Sequence, residues 1–125
     1  MARNTRVADY LAYGAILPYT DLWVHNGGYG AVTQGIAHGI PMVIAGDGQD
    51  KPECAKRGGW SGIGLDLAVS RPGRARLGDA IKQVLETESF RVRVEELKRE
   101  SEAMSCYDNV EEEVMKIVNE DALPR

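Results

Sequence analysis

The sequence predicts an α/β fold: a short parallel sheet followed by C-terminal helices. Residues 22–24, 41–45 and 63–67 form short apolar runs between turn residues, which is typical of parallel strands buried on both faces. Residues 31–38 contain no strong helix breaker and predict a helix between the first two strands. Strand, glycine-rich turn, helix and strand form a β-α-β unit, which requires a parallel sheet covered by helices.

The ends of the predicted helices are marked in the sequence. Gly39 follows residues 31–38 and fits the left-handed position that terminates many helices. After residue 73, apolar residues recur at helical spacing, which predicts two or three amphipathic helices over residues 73–120. The positions that define this period are Leu77, Ile81, Val84, Leu85, Val110, Val114, Ile117 and Val118.

Length and composition limit the function classes. With 125 residues, 43% hydrophobic and 27% charged, the chain fits one globular domain. A net charge of -4 excludes a sequence-independent nucleic-acid binder. No apolar run reaches the roughly 18 residues that span a bilayer. Cys54 and Cys106 have no metal-site or redox-motif spacing, so we expect reduced thiols, a cytoplasmic location and no metal.

The turn after the first predicted strand is rich in glycine, in the sequence Asn26-Gly27-Gly28-Tyr29-Gly30. Glycines let backbone N–H groups approach a ligand closely, and the start of the next helix presents unpaired N–H groups with a partial positive charge. Such a terminus binds phosphate without a cationic side chain. On spacing alone, a purely structural turn is the more frequent interpretation of this pattern.

A longer stretch favours the phosphate-binding interpretation. Residues 25–57 read HNGGYGAVTQGIAHGIPMVIAGDGQDKPECAKR. This stretch resembles the donor-sugar signature of the family 1 UDP-dependent glycosyltransferases: His-Gly-Gly, a Glu or Gln in the helix, Gly-Val/Ile-Pro, then Asp-Gln-Pro. The spacing is kept without a gap, and residues 10–18 are similar to the aromatic-x-Pro-Gln…Leu-Leu segment of that family. The resemblance covers about residues 7–104, and its variants are similar to the fungal and bacterial branch.

The resemblance implies a partial Rossmann-like fold, the C-terminal half of a GT-B enzyme, with a motif core over residues 7–67. It also implies that a UDP-sugar binds here. Gln34 would hold the ribose hydroxyls, Tyr10 would lie against the uracil, and Asp50 and Lys51 would bind the sugar. The implied diphosphate-binding positions are Asn26, Gly27, Gly28, Gly30 and Ala31, with His25 as a further candidate.

Four positions depart from the family pattern. Asn26 stands where the family has its phosphate-binding His. Ala12 and Tyr13 stand where it has a Pro and a base-reading Gln. Lys51 replaces the Gln of Asp-Gln. Because neighbouring residues of a strand point to opposite faces, His25 replaces the missing His only if the strand has already ended. These departures affect the identity of the donor more than its binding.

The predicted function is donor binding for hexosyl transfer to a small-molecule hydroxyl. The acceptor domain of such an enzyme supplies the general base and matches nothing in this chain, so we expect no catalytic residue, no cofactor and an incomplete enzyme. Expected partners are a nucleotide-sugar and either an acceptor-domain chain or a second copy. The alternatives are the donor-binding subunit of a two-chain enzyme and a non-catalytic remnant. A Rossmann dehydrogenase is excluded because the glycines do not form GxGxxG.

Overall fold

Three strands and six helices form the part of the chain that the structure, a computed structural model, describes: residues 3–48 and 51–121. The strands are β1 (Trp23–His25), β2 (Met42–Ile44) and β3 (Gly64–Asp66). The helices are α1 (Tyr13–Ile16), continued by a 3₁₀ turn (Leu17–Tyr19), then α2 (Tyr29–His38), α3 (Lys51–Trp60), α4 (Arg74–Glu86), α5 (Glu88–Ala103) and α6 (Cys106–Asp121).

The three strands form one parallel sheet in the order β1-β2-β3. Trp23 pairs with Met42, and Met42 pairs with Gly64, so the carboxyl ends of all three strands lie at the same edge. The predicted parallel sheet is confirmed. β1 ends one residue later than the apolar run, so His25 belongs to the strand, and the condition under which it would replace the missing His is not met.

Helix α2 begins two residues earlier than the sequence predicts. Gly28 has an extended backbone and caps the helix, so Tyr29 is its first residue. The end is as predicted: Gly39 has φ 67°, and its N–H donates to the carbonyls of Gly35 and Ile36. A left-handed residue at this position satisfies carbonyls that the helix leaves unpaired.

Both faces of the sheet are covered. On one face, helices α2, α3 and α5 enclose Met42, Ile44, Ala55, Ile63 and Val94. On the other face, α4 packs over Val43, Leu67, Ala80 and Val84. Burying a side chain of this size stabilises the fold by about 1.5–3 kcal/mol, so these two clusters hold the central strand in place.

Helix α5 is anchored to the amino ends of the outer strands. The Arg91 guanidinium donates to the carbonyl of Asp21, which precedes β1, and the Arg93 guanidinium donates to the carbonyl of Ser61, which precedes β3. These two contacts lie at the amino ends of the strands, at the edge opposite the carboxyl ends where the β–α loops begin.

The predicted C-terminal helices are confirmed as α4, α5 and α6, but they are not equally buried. Ala80, Val84 and Val94 of α4 and α5 are buried. In α6 the apolar side chains of Val110 and Ile117 are 56% and 62% exposed. Among the residues that the structure describes, no helix is both long and apolar enough to cross a membrane.

Candidate functional site

The candidate site lies at the carboxyl edge of the sheet. Three loops meet there: the β1–α2 turn, the β2–α3 loop and the β3–α4 loop. In open parallel sheets, ligands bind in the crevice beyond the carboxyl ends of the strands. The first of these loops leads directly into the amino end of α2.

The β1–α2 turn is held by two contacts of the same kind, each from a side chain to the backbone two residues later. His25 Nδ1 accepts the N–H of Gly27 at 3.0 Å, and Asn26 Oδ1 accepts the N–H of Gly28 at 3.4 Å. Gly27 has φ 85°, in the left-handed region, where only glycine is unstrained. A Cβ on Gly27 would also lie 2.9 Å from Ile44, so this position accepts no side chain.

Two amides at the start of α2 remain for a ligand. The first N–H groups of any helix have no partner within the helix, and no side chain caps α2. Ala31 N–H already donates to the Gly28 carbonyl at 3.0 Å, which leaves the N–H groups of Tyr29 and Gly30. A Cβ placed on Gly30 would meet no other segment of the protein within 4 Å, so the helix surface is open at this residue.

A cavity of about 430 Å³ opens beside this helix start. Its wall brings together five residues that the sequence predicts for donor binding: His25, Asn26, Gly30, Ala31 and Gln34. It is completed by Tyr13, Trp23 and Val24. Phosphate-binding and ribose-binding candidates therefore share one cavity.

The tyrosine in the cavity wall is Tyr13. Its ring stands edge-on to Trp23, with ring centroids 5.3 Å apart, and Trp23 in turn lies 5.1 Å from the His25 ring. Tyr10, the predicted base-binding residue, is 85% exposed and does not line the cavity. Tyr13 was noted in the sequence only as a departure from the family pattern.

The β2–α3 loop lies directly against the β1–α2 turn. A Cβ on Gly46 would overlap the carbonyl of Asn26, and a Cβ on Gly27 would lie 3.4 Å from the carbonyl of Lys51. Lys51 is half-buried and begins α3, whereas Asp50 lies outside the described residues. Gly46 is a site residue that sequence reasoning missed, because only the contact between two distant loops makes glycine necessary there.

Among the described residues that line the cavity, none carries a charged side chain at neutral pH. His25 is the basic group in its wall, and burial lowers the pKa of its imidazole to about 4. At the same edge, the hydroxyl of Ser70 hydrogen-bonds to Asp47 and lowers the pKa of that carboxyl. An anion in this cavity would meet backbone amides and the helix dipole rather than a cation.

The described residues contain no group of three or more His, Cys, Asp or Glu side chains that could hold a metal ion. The polar groups available at the edge of the sheet are amides, a neutral imidazole and a tyrosine hydroxyl, together with the carboxylates of its loops. This set suits a phosphate and a polyhydroxylated ligand.

Comparison with known proteins decides the family. A family model described as "Erythromycin biosynthesis protein CIII-like, C-terminal domain" matches residues 1–118. The chain belongs to this family. The EryCIII-like match confirms the resemblance to the C-terminal part of a family 1 glycosyltransferase, and the GT-B fold is confirmed by the solved structures that follow.

Relatives of this EryCIII-like domain are glycosyltransferases. It is 40% identical over 113 residues to UDP-glucosyltransferase 1 of Beauveria bassiana, covering 90% of this chain and 24% of that protein. It is similar to the crystal structure of the glycotransferase of kitacinnamycin, with a TM-score of 0.79 and 27% identity over 88% of this chain and 30% of that one.

A second solved structure is that of glycosyltransferase VinC in complex with DTDP, with a TM-score of 0.77 and 29% identity over 82% of this chain and 26% of that one. The EryCIII-like chain therefore spans about a quarter of the length of the curated relatives that it matches.

Proposed function

We propose that this domain binds the UDP-sugar donor of a glycosyltransferase, with the diphosphate at the amino end of α2. The observation that carries the proposal is the neutral cavity at that helix start, which Gly30 lines and where no side chain caps the first amides of α2. A helix terminus with free N–H groups favours a phosphate. The DTDP bound to the similar VinC protein supports a nucleoside diphosphate as the ligand class.

The β1–α2 turn would supply the diphosphate contacts. The Oδ1 atom of Asn26 is already used by the N–H of Gly28, so its Nδ2 group remains as a donor. This group and the amides of Tyr29 and Gly30 form a set of uncharged donors. Hydrogen bonds to a charged phosphate are stronger than those between neutral groups, so no cationic side chain is needed.

The nucleoside would lie along α2. Gln34 follows Gly30 by four residues, and residues with this spacing lie on the same face of a helix. The Gln34 amide offers one donor group and one acceptor group to the ribose hydroxyls. Tyr10 would stack on the uracil from the segment before α1, and Tyr13 forms the adjacent wall of the cavity.

The β2–α3 loop would bind the hexose. Its contact with the β1–α2 turn at Gly46 and Lys51 places it where a sugar attached to the diphosphate would extend. Asp50 is the proposed acceptor for sugar hydroxyls, since a carboxylate forms charge-assisted hydrogen bonds. Lys51 is the proposed donor to a sugar hydroxyl or a phosphate oxygen.

For the whole protein we propose hexosyl transfer to a hydroxyl group of a small-molecule acceptor. The residues of this domain would bind and orient the donor. Deprotonation of the acceptor hydroxyl needs a general base, and we assign that base to no residue of this chain.

The ribose assignment gives a direct test by titration calorimetry with UDP and with 2′-deoxy-UDP. We expect the chain to bind UDP about threefold to tenfold more tightly, because one hydrogen bond contributes roughly 0.5–1.5 kcal/mol. Gln34→Ala should abolish this preference. Thr33→Ala is the matched control, because the Thr33 hydroxyl is hydrogen-bonded to the carbonyl of Tyr29 within its own helix.

The two parts of the proposal fail separately. Absence of UDP binding at millimolar concentration would contradict the proposed function itself. If UDP binds but the Gln34→Ala protein keeps the preference for UDP over 2′-deoxy-UDP, donor binding stands and the ribose contact is wrong.

A further inference from the structure

We propose that His25 is a positioning residue for the phosphate-binding turn and not a ligand of the phosphate. Its neutral ring holds the Gly27 amide through Nδ1 and contacts Met42 through Nε2. The inference rests on the proposed function only for its effect on nucleotide binding. The state of the ring itself is testable without any ligand.

Both ring nitrogens are engaged inside the protein. Nδ1 accepts the N–H of Gly27 at 3.0 Å, so it carries no proton. In a neutral imidazole the proton then lies on Nε2, which is 3.4 Å from the sulfur of Met42. Neither nitrogen is left to donate to a phosphate oxygen.

The ring is also fixed in orientation. It lies 5.1 Å from the Trp23 ring, centroid to centroid, at an interplanar angle of 58°. Met42 is fully buried in the centre of the sheet. Turning the ring toward a ligand would break the contacts with Gly27 and Met42 together.

The Gly27 amide is the part of the turn that most needs a fixed partner. Gly27 has φ 85° and is buried against Ile44 and Ala55, and a buried N–H without a partner is costly. With this N–H fixed by His25, the chain direction into Gly28 and Tyr29 is set. The orientation of the free amides of α2 therefore depends on an acceptor at position 25.

Only a neutral ring can serve as this acceptor, and its surroundings keep it neutral. The titratable side chain that shares the cavity wall with it is Tyr13, and the remaining wall residues carry no charge. From the sheet side, Trp23 and Met42 contact the ring. Burial accordingly lowers the pKa of the imidazole to about 4.

The direct test is ¹⁵N NMR of the histidine rings in the complete chain without ligand. We expect His25 in the Nε2–H form throughout pH 5.5 to 8. His38, which is on the surface at the end of α2, is the internal comparison. A His25 ring protonated on Nδ1, or one that titrates near the ordinary value of about 6.5, would overturn the proposal.

Two variants separate positioning from ligation. His25→Asn keeps an acceptor of the kind that Asn26 already provides to Gly28 in the same turn, whereas His25→Phe keeps the ring and removes the acceptor. We expect UDP affinity within about twofold of wild type for the Asn variant and a loss of about fivefold for the Phe variant.

Equal losses in both variants would indicate a phosphate ligand and contradict the proposal, as would unchanged binding in the Phe variant. If the wild-type chain does not bind UDP, the proposed function fails, and the NMR result alone then decides the role of His25. The same NMR measurement decides it if the Phe variant does not fold.

Discussion

Replacing Gly30 with alanine should raise stability and weaken donor binding in the same protein. Gly30 is the second residue of α2, and no atom lies within 4 Å of the added Cβ. The methyl group therefore costs nothing in packing. Alanine restricts the unfolded chain and favours the helix, which stabilises a protein by about 0.4–1 kcal/mol.

The expected loss of UDP binding follows from the position of Gly30 in the cavity wall. Gly30 lines the cavity in which we propose the diphosphate to lie, so we expect an added methyl group to displace the anion from the Gly30 amide. A hydrogen bond to a charged group contributes about 1.5–3 kcal/mol, so losing this contact should weaken UDP binding by about tenfold or more. The melting temperature of the Gly30→Ala protein should rise by about 2–4 °C for a domain of this size.

Gly78→Ala is the matched control. Gly78 lies inside α4, and a Cβ placed on it also meets no atom within 4 Å. It should raise the melting temperature by a similar amount and leave UDP affinity unchanged, as measured by thermal denaturation and calorimetry. A folded Gly30→Ala protein that binds UDP as tightly as wild type would refute the assignment of this amide to the diphosphate.

Three further predictions concern packing at Gly46, packing in the core at Val94, and the protonation of His25. Gly46→Ala should destabilise the domain by about 2 kcal/mol in urea unfolding, because its Cβ overlaps the Asn26 carbonyl; Gly48→Ala, with open space around it, should not. Val94→Ala should cost about 2 kcal/mol in the same assay, since Val94 is fully buried. The pKa of His25 is lowered from 6.5 to about 4 in the folded protein. Between pH 6.5 and pH 4, the unfolded chain therefore binds a proton at His25 more readily than the folded chain does. Stability should therefore fall as pH drops from 6.5 to 4, and this slope should be shallower in His25→Phe.

The layered fold was predictable because its signals are local. Apolar runs of three to five residues mark the three strands, and the central strand β2 has all three residues fully buried, whereas Val24 of β1 is 40% exposed. Gly39 could be assigned from sequence because a left-handed C-cap depends only on its own helix. The start of α2 was placed two residues late because the extended backbone of Gly28 has no signature that distinguishes it from Gly27.

The parts of the site that were not predictable depend on contacts between distant segments. Nothing near Gly46 in the sequence shows that Asn26 lies against it. The burial of His25 likewise depends on Met42, seventeen residues later. Tyr10 and Tyr13 are both aromatic and only three residues apart, and their different exposure is set by the packing of Tyr13 on Trp23.

Helix α6 shows the limit of periodicity as a guide to burial. Its apolar positions keep the helical period that also marks α4, yet the side chains from Cys106 to Asn119 are exposed. Periodicity specifies that a helix has an apolar face. It does not specify which surface covers that face.

The most direct test of the account is a titration of ¹⁵N-labelled chain with UDP, followed by NMR of the backbone amides. Binding at the amino end of α2 predicts the largest shifts at Tyr29 and Gly30, with smaller shifts at the side-chain amide of Gln34. Unchanged α2 signals at millimolar UDP, or shifts confined to α6, would contradict it.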